Sequence, residues 1–128
     1  MAKVVDSVDD RGRTVIRVEG INDSILVVVD TGFNGDLMVT RAAARDLGAQ
    51  RLGREVDVQL GNGTVASVIR GRATIPWLGE NRLVRVLVAD DWLTVGDAPA
   101  GLLGTALLTP HLLMVDFAAR TVEIETQE

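Results

Sequence analysis

The sequence predicts an all-β domain, a barrel or a sandwich of short strands. Three observations predict it: short segments rich in β-branched residues, turn signals between them, and an aliphatic composition. Hydrophobic residues make up 47% of the 128 residues and aromatic residues only 3%, so Val, Leu, Ile and Ala must form the core. A chain of this length buries on the order of two-thirds of its unfolded surface in one compact domain. We therefore expect a single domain over residues 1–128, with residues 1–12 left open to be flexible.

The strands are predicted from period-two alternation and from continuous apolar runs between turn residues. The expected strands are Arg13–Gly20, Ser24–Val29, Glu55–Leu60, Val65–Ile69, Arg70–Pro76, Arg82–Ala89, Leu112–Phe117 and Thr121–Glu125. Asn62-Gly63 between two apolar runs predicts a hairpin, and Ala118–Arg120 is the expected turn of a closing hairpin. The segment Asp90–Ala100 is rich in Asp, Gly and Pro, which is typical of a loop.

Two helices are predicted. Thr40–Gly48 contains three alanines, begins at a residue suited to an N-cap and ends at a glycine suited to the left-handed C-terminal position. Thr105–Leu108 is expected to form a short helix with Thr105 as its cap.

Composition excludes several kinds of chemistry. The chain has no cysteine, which excludes disulfides, thiolate metal sites, iron–sulfur clusters and a cysteine nucleophile. The only histidine is His111, so a Ser-His-Asp triad would have to use that residue. A net charge of −5 and a pI of about 4.8 argue against nucleic acid, which needs a basic face. The N-terminus has no apolar signal region, and the longest strongly apolar run, Ile25–Val29, is far shorter than the ~20 residues of a membrane helix. We expect a cytoplasmic protein with no membrane partner.

The best catalytic candidate is the tripeptide Asp30-Thr31-Gly32, which directly follows the apolar run of the second strand. A carboxylate at this point would project from a rigid, buried strand, and Gly32 would allow the backbone to approach it closely. On the tripeptide alone, an ordinary turn after a strand is the simpler interpretation.

The order of motifs along the chain changes that interpretation. VVVDTG is followed by the glycine-rich hairpin QLGNGTV, by LLGTALL and by the tail LLMVDFAARTVEIE. This order, over roughly residues 14 to 125, resembles the retropepsin-like aspartic proteases, and implies their closed β-barrel. Within that family, Phe33-Asn34-Gly35 and the segment Ala44–Gly48 resemble small prokaryotic members in which Phe follows Asp-Thr-Gly.

The resemblance implies an aspartic endopeptidase that acts as a homodimer on a peptide or protein substrate. Asp30 of each subunit would activate a shared water, Thr31 would hydrogen-bond across the dimer, and Gly32 would position the carboxylate. The implied flap, which would contact the substrate, consists of Leu60, Gly61, Asn62, Gly63 and Thr64. Phe33 either shapes a substrate subsite or fills the core beneath the catalytic loop. The implied chemistry uses no metal and no organic cofactor.

Other interpretations remain open. A second hypothesis is a non-catalytic dimeric module of the same fold that binds peptides or assembles complexes; the intact Asp-Thr-Gly favours the enzyme. Asp90, Asp91 and Asp97 could bind a hard cation such as Ca²⁺, but their spacing fits no EF-hand loop, and they are expected to be solvated loop acids. Asp116 is expected to have a structural role in the closing hairpin. The two tryptophans, Trp77 and Trp92, are expected to pack in the core.

Overall fold

This computed structural model of the chain describes residues 2–59, 63, 65–89 and 99–127. The described residues form ten strands and two helices. The strands are β1 (Lys3–Val8), β2 (Thr14–Val18), β3 (Ile25–Val29), β4 (Leu37–Val39), β5 (Gln50–Gln59), β6 (Val65–Trp77), β7 (Glu80–Val88), β8 (Gly101–Leu103), β9 (Leu112–Asp116) and β10 (Thr121–Glu125). The helices are α1 (Arg41–Leu47), between β4 and β5, and α2 (Thr105–Leu108), between β8 and β9.

All ten strands belong to one sheet in the order β5-β6-β7-β4-β8-β3-β2-β1-β10-β9. Most neighbours are antiparallel, but β3 pairs in parallel with β8, and β4 pairs in parallel with β7. The closed barrel expected from the resemblance is not confirmed, because no pairing within the described part of the chain joins the edge strands β5 and β9. The all-β prediction is confirmed.

The main core lies on one face of the sheet, where alternate strand residues meet α1 and α2. Its largest fully buried side chains are Ile16, Leu37, Leu47, Ile75, Leu103, Leu107 and Ile124. A second cluster contains the buried residues Met38, Val68 and Ala89, with Phe33, Val56, Leu87 and Leu102 packed against it. Because successive strand residues point to opposite faces, the neighbouring residues Leu102 and Leu103 contribute to different clusters.

Helix α1 is confirmed together with both of its caps. The Thr40 side chain accepts a hydrogen bond from the Ala43 N–H at 3.2 Å, which satisfies one of the free donors of the first turn. Gly48 ends the helix with a φ of 72°, in the left-handed region that glycine adopts without steric cost.

Some predicted boundaries are wrong. Residues 65–69 and 70–76 belong to one continuous strand, β6, and the strand expected from Glu55 begins at Gln50. A register shift between Arg51 and Glu55, with Gly53 at a φ of 75°, interrupts the period-two pattern that would have revealed its first half. The first strand, β1, lies within the segment 1–12 and pairs with β10 and β2.

The cap assigned to the second helix is also wrong. Gly104 is the N-cap of α2, and Thr105 is the first helical residue. The Thr105 hydroxyl instead donates to the Phe33 carbonyl oxygen at 3.3 Å. The side chain therefore ties the helix to the segment that follows Asp30.

The closing hairpin is confirmed as β9 and β10, and the Asp116 carboxylate accepts a hydrogen bond from the Ala119 N–H at 2.9 Å within its turn. Trp77 is buried, as expected, and its indole N–H donates to the Leu107 carbonyl at 3.2 Å.

The predicted loop Asp90–Ala100, including Trp92 and its three aspartates, lies outside the described residues except for its last two positions. In the ranges given above, neither helix has the length and apolar character needed to cross a membrane.

Candidate active site

Asp30 lies where three short strands meet. It directly follows β3, and β8 lies between β3 and β4, so that Leu103 pairs with Val29 on one side and with Leu37 on the other. The Asp30 N–H donates to the Leu103 carbonyl oxygen at 2.9 Å, one position beyond the last ladder pair. All three paired side chains are buried in the main core. The backbone of Asp30 is therefore fixed by sheet hydrogen bonds and by the core beneath them.

The chain turns sharply after Asp30. The Gly32 N–H donates to the Asp30 Oδ1 at 2.9 Å, and the Phe33 N–H donates to the Asp30 carbonyl at 3.1 Å. Asp30 is half-buried, whereas Thr31 and Gly32 are exposed. No described residue hydrogen-bonds to Oδ2 of Asp30 or to the Thr31 hydroxyl. The hydrogen bond to Oδ1 thus orients the carboxylate, and Oδ2 can accept a hydrogen bond from a water, a substrate or a second chain.

The N-terminus of α2 donates backbone hydrogen bonds to the segment that follows the Asp30 turn. The Thr105 N–H donates to the Phe33 carbonyl at 2.8 Å, and the Gly104 N–H donates to the Asp36 carbonyl at 2.9 Å. A side chain at Gly104 has no room: a Cβ there would collide with the Gly35 carbonyl oxygen and would lie 2.6 Å from the Phe33 carbonyl oxygen. The glycine of Leu102-Leu103-Gly104 is therefore required by the close approach of two backbone segments.

Two solved structures have a closely similar architecture. A retropepsin-like aspartic protease from Rickettsia conorii superposes with a TM-score of 0.66 over 96% of this chain and 98% of its own, at 19% sequence identity. EIAV protease in complex with the inhibitor HBY-793 superposes with a TM-score of 0.57 over 80% of this chain and 91% of its own, at 24% identity.

The chain has the retropepsin-like fold.

No protein-family model matches the sequence, and a search among curated proteins finds no match either. The retropepsin-like fold is therefore established by the structural superpositions, over nearly the whole length of both chains in the first comparison.

Phe33 packs beneath the Asp30 turn and also lines a cavity. Its ring packs against the second cluster and lies over two glycines, since a Cβ on Gly35 would lie 2.6 Å from the ring and one on Gly104 would lie 2.7 Å from it. The same residue is half-buried and lines a surface cavity. Phe33 therefore fills the space beneath the Asp30 loop and also forms part of a cavity wall.

That cavity has a volume of about 890 Å³ and lies beside the Asp30 loop. It is lined by Phe33, Asn34, Gly35, Asp36, Leu37, Leu52, Gly53, Arg70, Gly71, Arg85, Val86, Leu87 and Ala106. The Asp36 Oδ2 accepts a hydrogen bond from the Arg85 backbone N–H at 2.8 Å, which joins the loop to β7. No motif in the sequence marked Asp36, Arg70 or Arg85. Arg70 and Arg85 lie on the adjacent strands of the β6–β7 hairpin, and they come close to Asp36 and Phe33 only because β4 pairs with β7 across a long separation in sequence.

Of the predicted flap residues, Leu60, Gly61, Asn62 and Thr64 lie outside the described residues. Gly63 is described: it is exposed and has a φ of 85°, which a residue with a side chain rarely adopts. The two strands that lead to this segment, β5 and β6, are paired as far as Gln59 and Val65. Their pairing agrees with the hairpin that the sequence predicts.

His111 follows α2 and is half-buried, and its backbone N–H donates to the Leu108 carbonyl. Its Nδ1 is buried, with no hydrogen-bond partner among the described residues. Within those residues, no three His, Cys, Asp or Glu side chains are grouped so as to hold a metal ion. The candidate site therefore consists of the Asp30 loop and the adjoining cavity.

Proposed function

We propose that this protein is an aspartic endopeptidase that acts as a homodimer, in which Asp30 of each subunit activates one shared water. The observation that carries the proposal is the Asp30-Thr31-Gly32 turn. It lies at the meeting point of β3 and β8 in a retropepsin-like fold. One carboxylate oxygen accepts a hydrogen bond from the Gly32 N–H, and the other has no hydrogen-bond partner among the described residues. Thr31 and Gly32 are exposed beside it, which leaves the loop accessible to a second subunit.

The chemistry requires two carboxyl groups. Peptide hydrolysis by this route needs a base that removes a proton from water and an acid that protonates the carbonyl oxygen. Two adjacent carboxylates repel each other when both are ionised, so the pair holds one shared proton and supplies both groups. The sequence contains one Asp-Thr-Gly and no second Asp-Thr-Gly or Asp-Ser-Gly. A two-fold axis between two copies would bring two Asp30 side chains together.

The reaction then follows from this pair. The ionised Asp30 accepts a proton from the water as the water oxygen bonds to the peptide carbonyl carbon. The protonated Asp30 of the other subunit donates its proton to the carbonyl oxygen, which gives a neutral tetrahedral diol. Proton transfer to the nitrogen and cleavage of the C–N bond release a carboxylic acid and an amine, and the pair again holds one proton.

Self-association is supported by the edge of the sheet. Strand β9 lies at one end of the strand order, so one side of its backbone has no partner among the described strands. Leu112 and Met114 on this strand are each 42% exposed, and Phe117, just beyond it, is 64% exposed. An edge strand with exposed apolar side chains favours association with another chain.

Substrate binding would use the face above the Asp30 loop. An extended peptide would be held by main-chain hydrogen bonds, as an added strand, between the loop and the predicted flap of residues 60–64. Phe33 would contact the substrate through the part of its surface that lines the cavity.

The test compares the wild type with Asp30→Asn on a peptide library at acidic and at neutral pH. We expect cleavage by the wild type and none by Asp30→Asn, because an amide can neither accept the proton from water nor hold the shared proton. Asp46→Asn is the matched control, since Asp46 is also half-buried but lies in α1; it should keep wild-type activity. Cleavage that survives Asp30→Asn, or a wild type that cleaves nothing at either pH, would contradict the proposal.

A further inference from the structure

The cavity beside the Asp30 loop contains two arginines that have no anionic partner among the described residues. Arg70 and Arg85 both line it, and neither guanidinium makes a hydrogen bond or an ion pair with the residues that the structure describes. The one carboxylate in the lining, Asp36, accepts a hydrogen bond from the backbone N–H of Arg85 rather than from its side chain. Among the described residues, the lining therefore contains two arginines and one aspartate, in a protein whose net charge is −5.

Strand pairing places these arginines on the same face of the sheet. Arg70 pairs with Leu87, and Arg72 pairs with Arg85, so the three arginines occupy neighbouring positions on one face of the β6–β7 hairpin. Like charges directly opposite each other in a sheet are destabilising. The directly opposite pair is Arg72 and Arg85, and Arg70 is the diagonal neighbour of Arg85. An anion bound between Arg70 and Arg85 would therefore reduce the like-charge repulsion that acts on Arg85.

The same face leads directly to the catalytic loop. Leu102, Met38, Leu87 and Arg70 are successive cross-strand neighbours on β8, β4, β7 and β6. The three apolar members belong to the second cluster, against which Phe33 packs. The Phe33 N–H in turn donates to the Asp30 carbonyl at 3.1 Å. Phe33 therefore lies between the Asp30 turn and the cluster that leads to Arg70.

We propose that this cavity binds an acidic side chain, Asp or Glu, of the peptide substrate, and that Arg70 and Arg85 determine this specificity. The inference rests on the proposed function, because it assigns the substrate class of the same site. A guanidinium donates several hydrogen bonds in a planar fork that matches a carboxylate. The apolar part of the wall, which includes Leu52 and Leu87, contacts the methylene groups of the bound side chain.

The experiment begins with Asp30→Asn protein, which is used to select binders from a displayed peptide library of random sequence. Enriched peptides should carry Asp or Glu at one fixed position. One such peptide and its Glu→Gln or Asp→Asn isostere are then compared in binding to Asp30→Asn and in cleavage by the wild type.

The decisive variant is the double substitution Arg70→Gln/Arg85→Gln. We expect it to lower affinity and kcat/KM for the acidic peptide about tenfold, which corresponds to about 1.4 kcal/mol, and to leave the isostere nearly unaffected. Arg72→Gln is the matched control. Arg72 is exposed, as Arg70 and Arg85 are, and it lies on β6 with Arg70 and pairs with Arg85, but it does not line this cavity. Melting temperatures measured on every variant separate a binding defect from a folding defect.

The outcomes distinguish the inference from the proposed function. An acidic preference that persists in the double variant, or one that falls equally in Arg72→Gln, would overturn the cavity assignment. Enriched peptides without an acidic position would overturn it as well, even if Asp30→Asn abolishes cleavage and so supports the peptidase. Binding that depends on the two arginines, in a protein that cleaves no peptide, would support the cavity assignment and refute the peptidase function.

Discussion

Leu103 connects the core to the Asp30 loop, and truncating it to alanine should destabilise the protein strongly. Its side chain is fully buried at the point where β8 lies between β3 and β4, and its backbone carbonyl accepts the Asp30 N–H. Because sheet pairing holds β8 on both sides, the strands cannot move in to fill the space that the truncation leaves.

The magnitude follows from the atoms removed. Leu103→Ala deletes three buried carbon atoms, and at about 0.8 kcal/mol each this costs about 2.4 kcal/mol. A residual cavity of roughly 50 Å³, at about 24 cal/mol per Å³, adds about 1.2 kcal/mol. The total of about 3.5 kcal/mol corresponds to a fall in melting temperature of roughly 10–14 °C for a domain of this size.

Leu83→Ala is the matched control, because Leu83 is 62% exposed on β7. Its free energy of unfolding should change by no more than about 0.5 kcal/mol. Urea unfolding of the wild type and both variants at one protein concentration measures the difference. The packing assigned to Leu103 between β3 and β4 would be refuted if Leu103→Ala lowered the free energy of unfolding by less than about 1 kcal/mol, or by no more than Leu83→Ala does.

Two further predictions concern the edge strand and the N-terminal turn. If the proposed homodimer uses the edge strand β9, Met114→Lys should dissociate it to monomers in analytical ultracentrifugation with little loss of subunit stability, because the exposed Met114 side chain lies on that strand. A wild type that is a monomer, or a variant dimer as stable as the wild type, would contradict this. Desolvation raises the pKa of Asp9, but hydrogen bonds from Arg13 and from the Arg11 N–H outweigh it, so the pKa lies below its ordinary value of 3.8. The ionised form is thus favoured in the folded state, and its stabilising effect is present above pH 3.8 and lost as the pH falls through the lowered pKa. Asp9→Asn should therefore melt at a lower temperature than the wild type at neutral pH, with a difference that shrinks in acid; a difference independent of pH would contradict this.

Local signals were sufficient for the elements whose structure depends on neighbours in the chain. Alternation predicted β2, a continuous apolar run predicted β3, and capping residues predicted α1 with both of its ends. These predictions held because a strand face or a helix cap is decided by residues a few positions apart. The register shift in β5 disrupted the period-two signal, and the prediction of that strand was wrong where the pattern broke.

By itself, the sequence determined that the chain is an all-β domain with an Asp-Thr-Gly turn directly after a buried strand. Tertiary structure decided which strands lie beside that turn: the parallel pairing of β3 with β8, the fit of Gly104 under the loop, and the cavity that brings Arg70 and Arg85 close to Phe33. The physical reason is the range of the interactions. Periodicity and capping act within one or two turns of the chain, whereas these contacts join segments far apart in sequence and exist only once the whole sheet has formed.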